Sequence, residues 1–136
     1  MKKTTYFLIS SGFLLVFYIL CTLYVDANNL VYSTYEVTPL IIYSSLRDFG
    51  LCIYLFVVAL LRPKPTHIKD MVWLLPHLLF LGVSTHLFFF NIWNESISNY
   101  LLIVYMNIDL WLVAFYFLLI ICIYDIFKIV RKQRGL

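Results

Sequence analysis

The sequence predicts an all-α integral membrane protein, a four-transmembrane-helix antiparallel bundle with both termini on the cytoplasmic side. Three observations predict it. The 136 residues are 63% hydrophobic and 12% charged with a mean hydropathy of +0.92, more apolar surface than a soluble domain of this size can hide. Four apolar runs, about residues 6–25, 40–61, 71–93 and 101–124, each approach the roughly 20 helical residues that cross a hydrocarbon core about 30 Å thick. Every Lys and Arg except Arg47 falls at the N-terminus, between the second and third runs, or at the C-terminus. Under the positive-inside rule that places both ends and the middle connection in the cytoplasm. The runs are apolar on nearly every side, so they read as helices and not as alternating barrel strands. Residues 1–136 then make a single transmembrane domain with no room for a soluble one.

The first run follows Lys2 and Lys3. Its length exceeds the ~7–15 apolar residues of a signal peptide, so it is expected to stay as a span. From Asp26 to Pro39 there is no basic residue, and the segment is expected as an outer loop with Tyr24, Tyr32 and Tyr35 at the headgroups. The second run carries Arg47 and Asp48 and stops at Arg62-Pro63-Lys64-Pro65, where two prolines forbid further helix. Lys69 and Asp70 precede the third, which contains His77 and His86 and is expected to kink mildly at Pro76. Asn94 to Asn99 is expected as a second outer loop, and Asn94-Glu95-Ser96 matches a glycosylation sequon. The fourth run carries Asn107 and Asp109 and ends at Lys128, Arg131, Lys132 and Arg134. Runs two and four each bear a polar pair about two turns in, a weak sign of a parallel repeat.

A charge at membrane depth costs a few kcal/mol, which makes Arg47 and Asp48 a functional-site hypothesis in need of partners. At about 1.5 Å per residue they lie roughly 10–12 Å from the outer end of their run, level with Asn107 and Asp109, with His86 and with Tyr18. Tyr43, Arg47, Gly50 and Tyr54 form one helical stripe; Tyr105, Asp109 and Tyr116 form another. Turning both stripes inward brings Arg47 to Asp109 and leaves Asp48 about 100° round the helix to meet His86 or Tyr18. The expected cluster is therefore Arg47, Asp48, His86, Asp109, Tyr18 and Tyr43. Gly82, one turn before His86, allows a close approach, and Asn107 is expected to make an interhelical hydrogen bond. A structural ion pair, a ligand, ion or proton site, and a contact with another chain all fit this cluster.

Other chemistry is poorly served. His77 and His86 are nine residues apart, about half a turn out of phase, so they share neither haem nor metal, and His77 reads as a satisfied helix residue. Cys21, Cys52 and Cys122 lack Cys-x-x-Cys or Cys/His spacing and read as inert buried thiols. There is no P-loop or His-Glu-x-x-His pattern, and Ser44, Ser45, Ser84 and Thr85 are of the kind that bond their own helix backbone. The basic residues sit in short clusters beside apolar runs, which is topology and not nucleic-acid binding. No catalytic residue, metal or cofactor is assigned.

The expected function is a non-enzymatic accessory membrane protein that binds a partner or small ligand through the polar cluster. A small oligomeric transporter coupled to protons or cations is one alternative, and an intramembrane enzyme acting on a lipid-linked substrate is another. Its partners are membrane lipids and either a membrane-protein partner or a second copy, met through faces such as Phe88–Phe90 and Phe115–Phe117. The plasma membrane is the expected location.

Overall fold

A computed structural model describes residues 2–86 and 95–135. Five α-helices follow one another: α1 (Lys3–Thr34), α2 (Thr38–Leu60), α3 (Leu75–His86), α4 (Glu95–Met106) and α5 (Ile108–Gln133). A 3₁₀ segment, Ile68–Trp73, precedes α3, and no strand occurs among the described residues. Among the described residues three helices, α1, α2 and α5, are long and apolar enough to cross a membrane. Between 22% and 28% of the apolar window of each is buried within the chain, so most of its apolar surface faces outward, as suits a lipid surrounding. The described part of the third run, α3, has 12 residues and rises about 18 Å. Residues 87–93 of that run, with Phe88–Phe90, lie outside the described residues, as does Asn94 of the sequon.

Several expected boundaries are corrected. α1 does not stop near Val25 but continues through the segment expected as an outer loop, to Thr34. Asp26–Thr34 is polar yet holds no Gly or Pro, so nothing breaks the hydrogen-bond ladder where the apolar run ends. Its 32 residues rise about 48 Å, more than the hydrocarbon core requires. Tyr35 closes it in the left-handed region at φ 58°, donating its N–H to the Val31 carbonyl at 2.9 Å. α2 then starts with Pro39 in its first turn, where a missing N–H costs nothing, and ends before Pro63.

Pro76 kinks no continuous helix. It sits in the first turn of α3, and the chain changes from 3₁₀ to α just upstream. The 3₁₀ segment is fastened by Asp70, whose carboxylate accepts the Thr66 N–H and hydroxyl at 2.9 and 2.8 Å and the His67 N–H at 3.0 Å. Lys3 at the start of α1 pairs with the same carboxylate.

The fourth run is not one helix. Asn107, at φ −120° and ψ 24°, separates α4 from α5, and residues 95–99, expected as loop, already belong to α4. The Asn107 amide donates back to the Ile103 carbonyl at 2.8 Å, and its own carbonyl accepts the Leu110 and Trp111 N–H groups. A straight helix would hold Tyr100 and Trp111 about 16 Å apart, yet the rings of Tyr18 and Phe80 each pack against both. α5 runs past Tyr124 to Gln133, so the basic C-terminal residues through Lys132 are helical.

The core is aromatic at its centre. Tyr6, Phe17, Tyr54, Leu81, Trp111, Ala114 and Leu118 are fully buried where α1, α2, α3 and α5 meet. α1 and α2 form an antiparallel hairpin in which the Tyr6 hydroxyl donates to the Val58 carbonyl at 2.6 Å. α2 and α5 run side by side in the same direction, joined near one end by Arg47 and Asn107 and near the other by Arg62 and Asp125. α3 packs on α5 with the Phe115 ring over Gly82, where an added Cβ would come within 2.9 Å of a ring carbon.

Candidate functional site

Arg47 does not meet Asp109. Its Nη1 donates to Asn107 Oδ1 at 2.8 Å, and its Nε and Nη2 both lie 3.0 Å from Asp48 Oδ1. Nη2 also reaches Ser44 Oγ at 3.5 Å, and the guanidinium sits 3.9 Å from the centre of the Tyr24 ring. Only 12% of the Arg47 side chain is exposed, whereas Asp48 is 56% exposed. The expected interhelical bond of Asn107 is thus made, and made to the arginine.

The phase of α5 explains why Asp109 is elsewhere. Trp111, Ala114, Leu118, Ile121 and Asp125 are its buried face, and Asp109, two residues before Trp111, points about 200° away from it. Asp109 is exposed and makes no ion pair among the described residues; Tyr105 and Tyr116, expected on the same inward stripe, are exposed as well. Asp48 reaches neither His86 nor Tyr18. The His86 ring hydrogen-bonds within its own helix, to the Gly82 carbonyl at 2.8 Å and Thr85 Oγ1 at 2.9 Å, and stands edge-on to Phe115. Tyr18 packs on Tyr100 and Trp111, while Tyr43 lies half-buried a turn before Arg47. Of the six expected members, Arg47 and Asp48 are in contact; Asn107, Ser44 and Tyr24 complete that group. Cys52 is exposed, not buried as expected, while Cys21 is buried and Cys122 half-buried.

A second polar centre lies nearer the basic end of the bundle, around His77. This residue of α3 is 4% exposed and tied to two other helices. The Tyr54 hydroxyl of α2 lies 3.1 Å from Nδ1, and Ser11 and Ser10 Oγ of α1 lie 3.2 and 3.3 Å from Nε2. Ser10 Oγ also donates to the Tyr6 carbonyl at 2.9 Å. All bonds are satisfied together when Tyr54 donates to Nδ1 and an Nε2–H donates to the serine oxygens, which assigns the tautomer from the network. Comparison with known protein families, curated proteins and solved structures gave no match. What the centre does is therefore read from its chemistry.

His77 and Ser11 form the polar floor of a groove of about 470 Å³ opening between α1, α3 and α4. Phe7, Leu14, Leu15 and Phe80 supply apolar walls, with Tyr18 and Tyr100 at the other end. Tyr100 is held there by a hydrogen bond with Ser84. With both His77 nitrogens taken by Tyr54, Ser10 and Ser11, the Ser11 hydroxyl is the floor group left to bond a ligand, and a mostly apolar groove with such a group suits a small molecule with an oily body and one hydrogen-bonding group. Among the described residues no three His, Cys, Asp or Glu side chains converge as a metal site would need. The sequence did hold a signal for this centre: Ser10 and Ser11 follow Lys3 by seven and eight residues, and His77 follows Asp70 by seven, so they share a depth.

Proposed function

We propose that the chain is a non-enzymatic, multi-pass membrane protein that binds a small amphiphilic ligand in the groove floored by His77 and Ser11. The groove carries this reading: among the described residues it joins a broad apolar surface to a polar floor on one open face of the bundle. In this reading both termini are cytoplasmic, the location is the plasma membrane, and residues 71–93 make the fourth crossing, of which α3 is the described part. The basic residues of the termini and of the connection at residues 62–69 support that orientation.

A fluorescent fatty acid such as dansyl-undecanoic acid, titrated against detergent-purified protein, tests the proposal. Saturable enhancement is expected. Leu15→Trp, which fills the groove, and Ser11→Ala, which removes part of its floor, should each weaken binding several-fold, the scale of one hydrogen bond or a lost apolar contact. Equal titrations of the two variants and the parent would remove the groove from consideration.

Asp109 favours a second reading. Its carboxylate is exposed on the side of α5 opposite the buried face, where a cation or donor on a partner helix would pair with it. A second copy is the simplest partner. Asp109→Asn should then shift the monomer–dimer balance, read by native mass spectrometry, and an unshifted balance would exclude it.

A further inference from the structure

The opposite end of the α2–α5 pair holds a pocket of about 380 Å³ in which most of the polar side chains are basic. We infer that it is a binding site for the phosphate group of an anionic membrane lipid. The site is built from helix phase and proline. Asp125, Lys128, Ile129 and Lys132 recur on α5 at the i, i+3, i+4, i+7 spacing, so both lysines rise on the stripe that ends the helix core. Lys64 comes from the connection after α2, held between Pro63 and Pro65, whose rings restrict the backbone on either side of it.

The acid in the pocket does not neutralise these lysines, because Arg62 takes it. Arg62 Nε and Nη2 each donate at 3.0 Å to the two oxygens of the buried Asp125 carboxylate, and Nη1 donates to the Ala59 carbonyl at 2.6 Å. Four cations against one anion leave the lining at +3, carried by Lys64, Lys128 and Lys132. Isolated basic residues that merely mark topology need not converge; here three converge on one concavity. The occupant is a lipid because α2 and α5 are long and apolar enough to span, which brings their ends to the headgroup layer, and Leu60, 65% exposed on the pocket's edge, offers an apolar rail for a chain.

Thermal unfolding in mixed micelles tests this with phosphatidic acid, phosphatidylcholine and inorganic phosphate as probes. Phosphatidic acid should raise the unfolding temperature saturably and phosphatidylcholine should not. Lys128→Gln/Lys132→Gln, with Arg62 and Asp125 left in place, should weaken the response about tenfold, and Lys64→Gln should weaken it independently by a smaller factor. A charge-matched control, Lys2→Gln/Arg134→Gln, should respond as the parent does. If the control loses as much as the pocket variants, the effect is general charge and the site is refuted. A saturable shift of equal size from inorganic phosphate alone would replace the lipid with a soluble phosphate compound and overturn the assignment.

Discussion

A guanidinium carries five N–H donors, and inside a membrane each of them needs an acceptor; Arg47 finds its acceptors on Asn107, Ser44 and the adjacent Asp48. A hydrogen bond to a charged group contributes about 1.5–3 kcal/mol, so Asn107→Leu should cost that much in detergent unfolding. In a double-mutant cycle Arg47→Gln and Asn107→Leu should couple strongly, whereas Arg47→Gln and Asp109→Asn should add within about 0.5 kcal/mol. Coupling of the second pair and not the first would show that the two helices meet in another phase. Asp125 is the other residue where a single change matters: it is 2% exposed and held by both prongs of Arg62. Asp125→Asn leaves a half-buried arginine without its carboxylate and should cost about 3 kcal/mol, part of it regained when Arg62→Gln is added. That Arg47 would need a partner was legible from its cost. Which partner was not, because the answer turns on the break at Asn107, and a lone asparagine in an apolar run announces a hydrogen bond without announcing a change of helix phase.

Among the elements, the 3₁₀ segment before α3 is the one whose fastening responds to acid. Lys3 first, then the Thr66 backbone and hydroxyl and the His67 N–H, hold the Asp70 carboxyl below the usual carboxylate range. With the folded value below the unfolded one of about 4, the stability it contributes is complete above that unfolded value. It is lost as pH falls through the lower, folded value. Asp70→Asn should therefore be less stable than the parent at neutral pH, with the difference closing as the medium is acidified below about pH 4; tryptophan fluorescence, with Trp73 in the segment, reports it. A constant difference from pH 7 to pH 3 would assign the effect to shape and not to charge. Glycines separate the helix contacts in the same way. A Cβ at Gly82 meets the Phe115 ring, while one at Gly50 meets only the flexible end of Leu20, so Gly82→Ala should cost about 1–3 kcal/mol and Gly50→Ala less. The sequence marked Gly82 as a place of close approach, and Phe115 occupies it. It did not mark the end of α1, because hydropathy reports where the lipid ends and not where the helix does.

For the whole molecule, the helical class and its long apolar helices were written in the composition. The internal division of the third and fourth runs was not, since 3₁₀ turns and single-residue breaks leave hydropathy almost unchanged. The groove and the network beneath it arise from that division: α4, set off at Asn107, brings Tyr100 back against Phe80 and Tyr18. Binding of the fatty-acid probe should therefore slow amide exchange in α3 and α4 while leaving α2 and the middle of α5 unchanged, as hydrogen–deuterium exchange would show. Uniform protection across all five helices would contradict a localised groove.

The two polar joints between α2 and α5 have a mechanical meaning. Arg47 of α2 and Arg62, two residues past its end, are fifteen residues apart, about 22 Å of helical rise, and Asn107, which caps α5, and Asp125 are eighteen apart, about 27 Å. One pin between two rods leaves a pivot, but two so far apart forbid both sliding and swivelling. With α1 bonded to α2 through Tyr6, that side of the bundle is a chassis. His77 bonds α3 to the same frame, so any movement that admits a ligand is assigned by exclusion to α4, which joins α5 through a single asparagine.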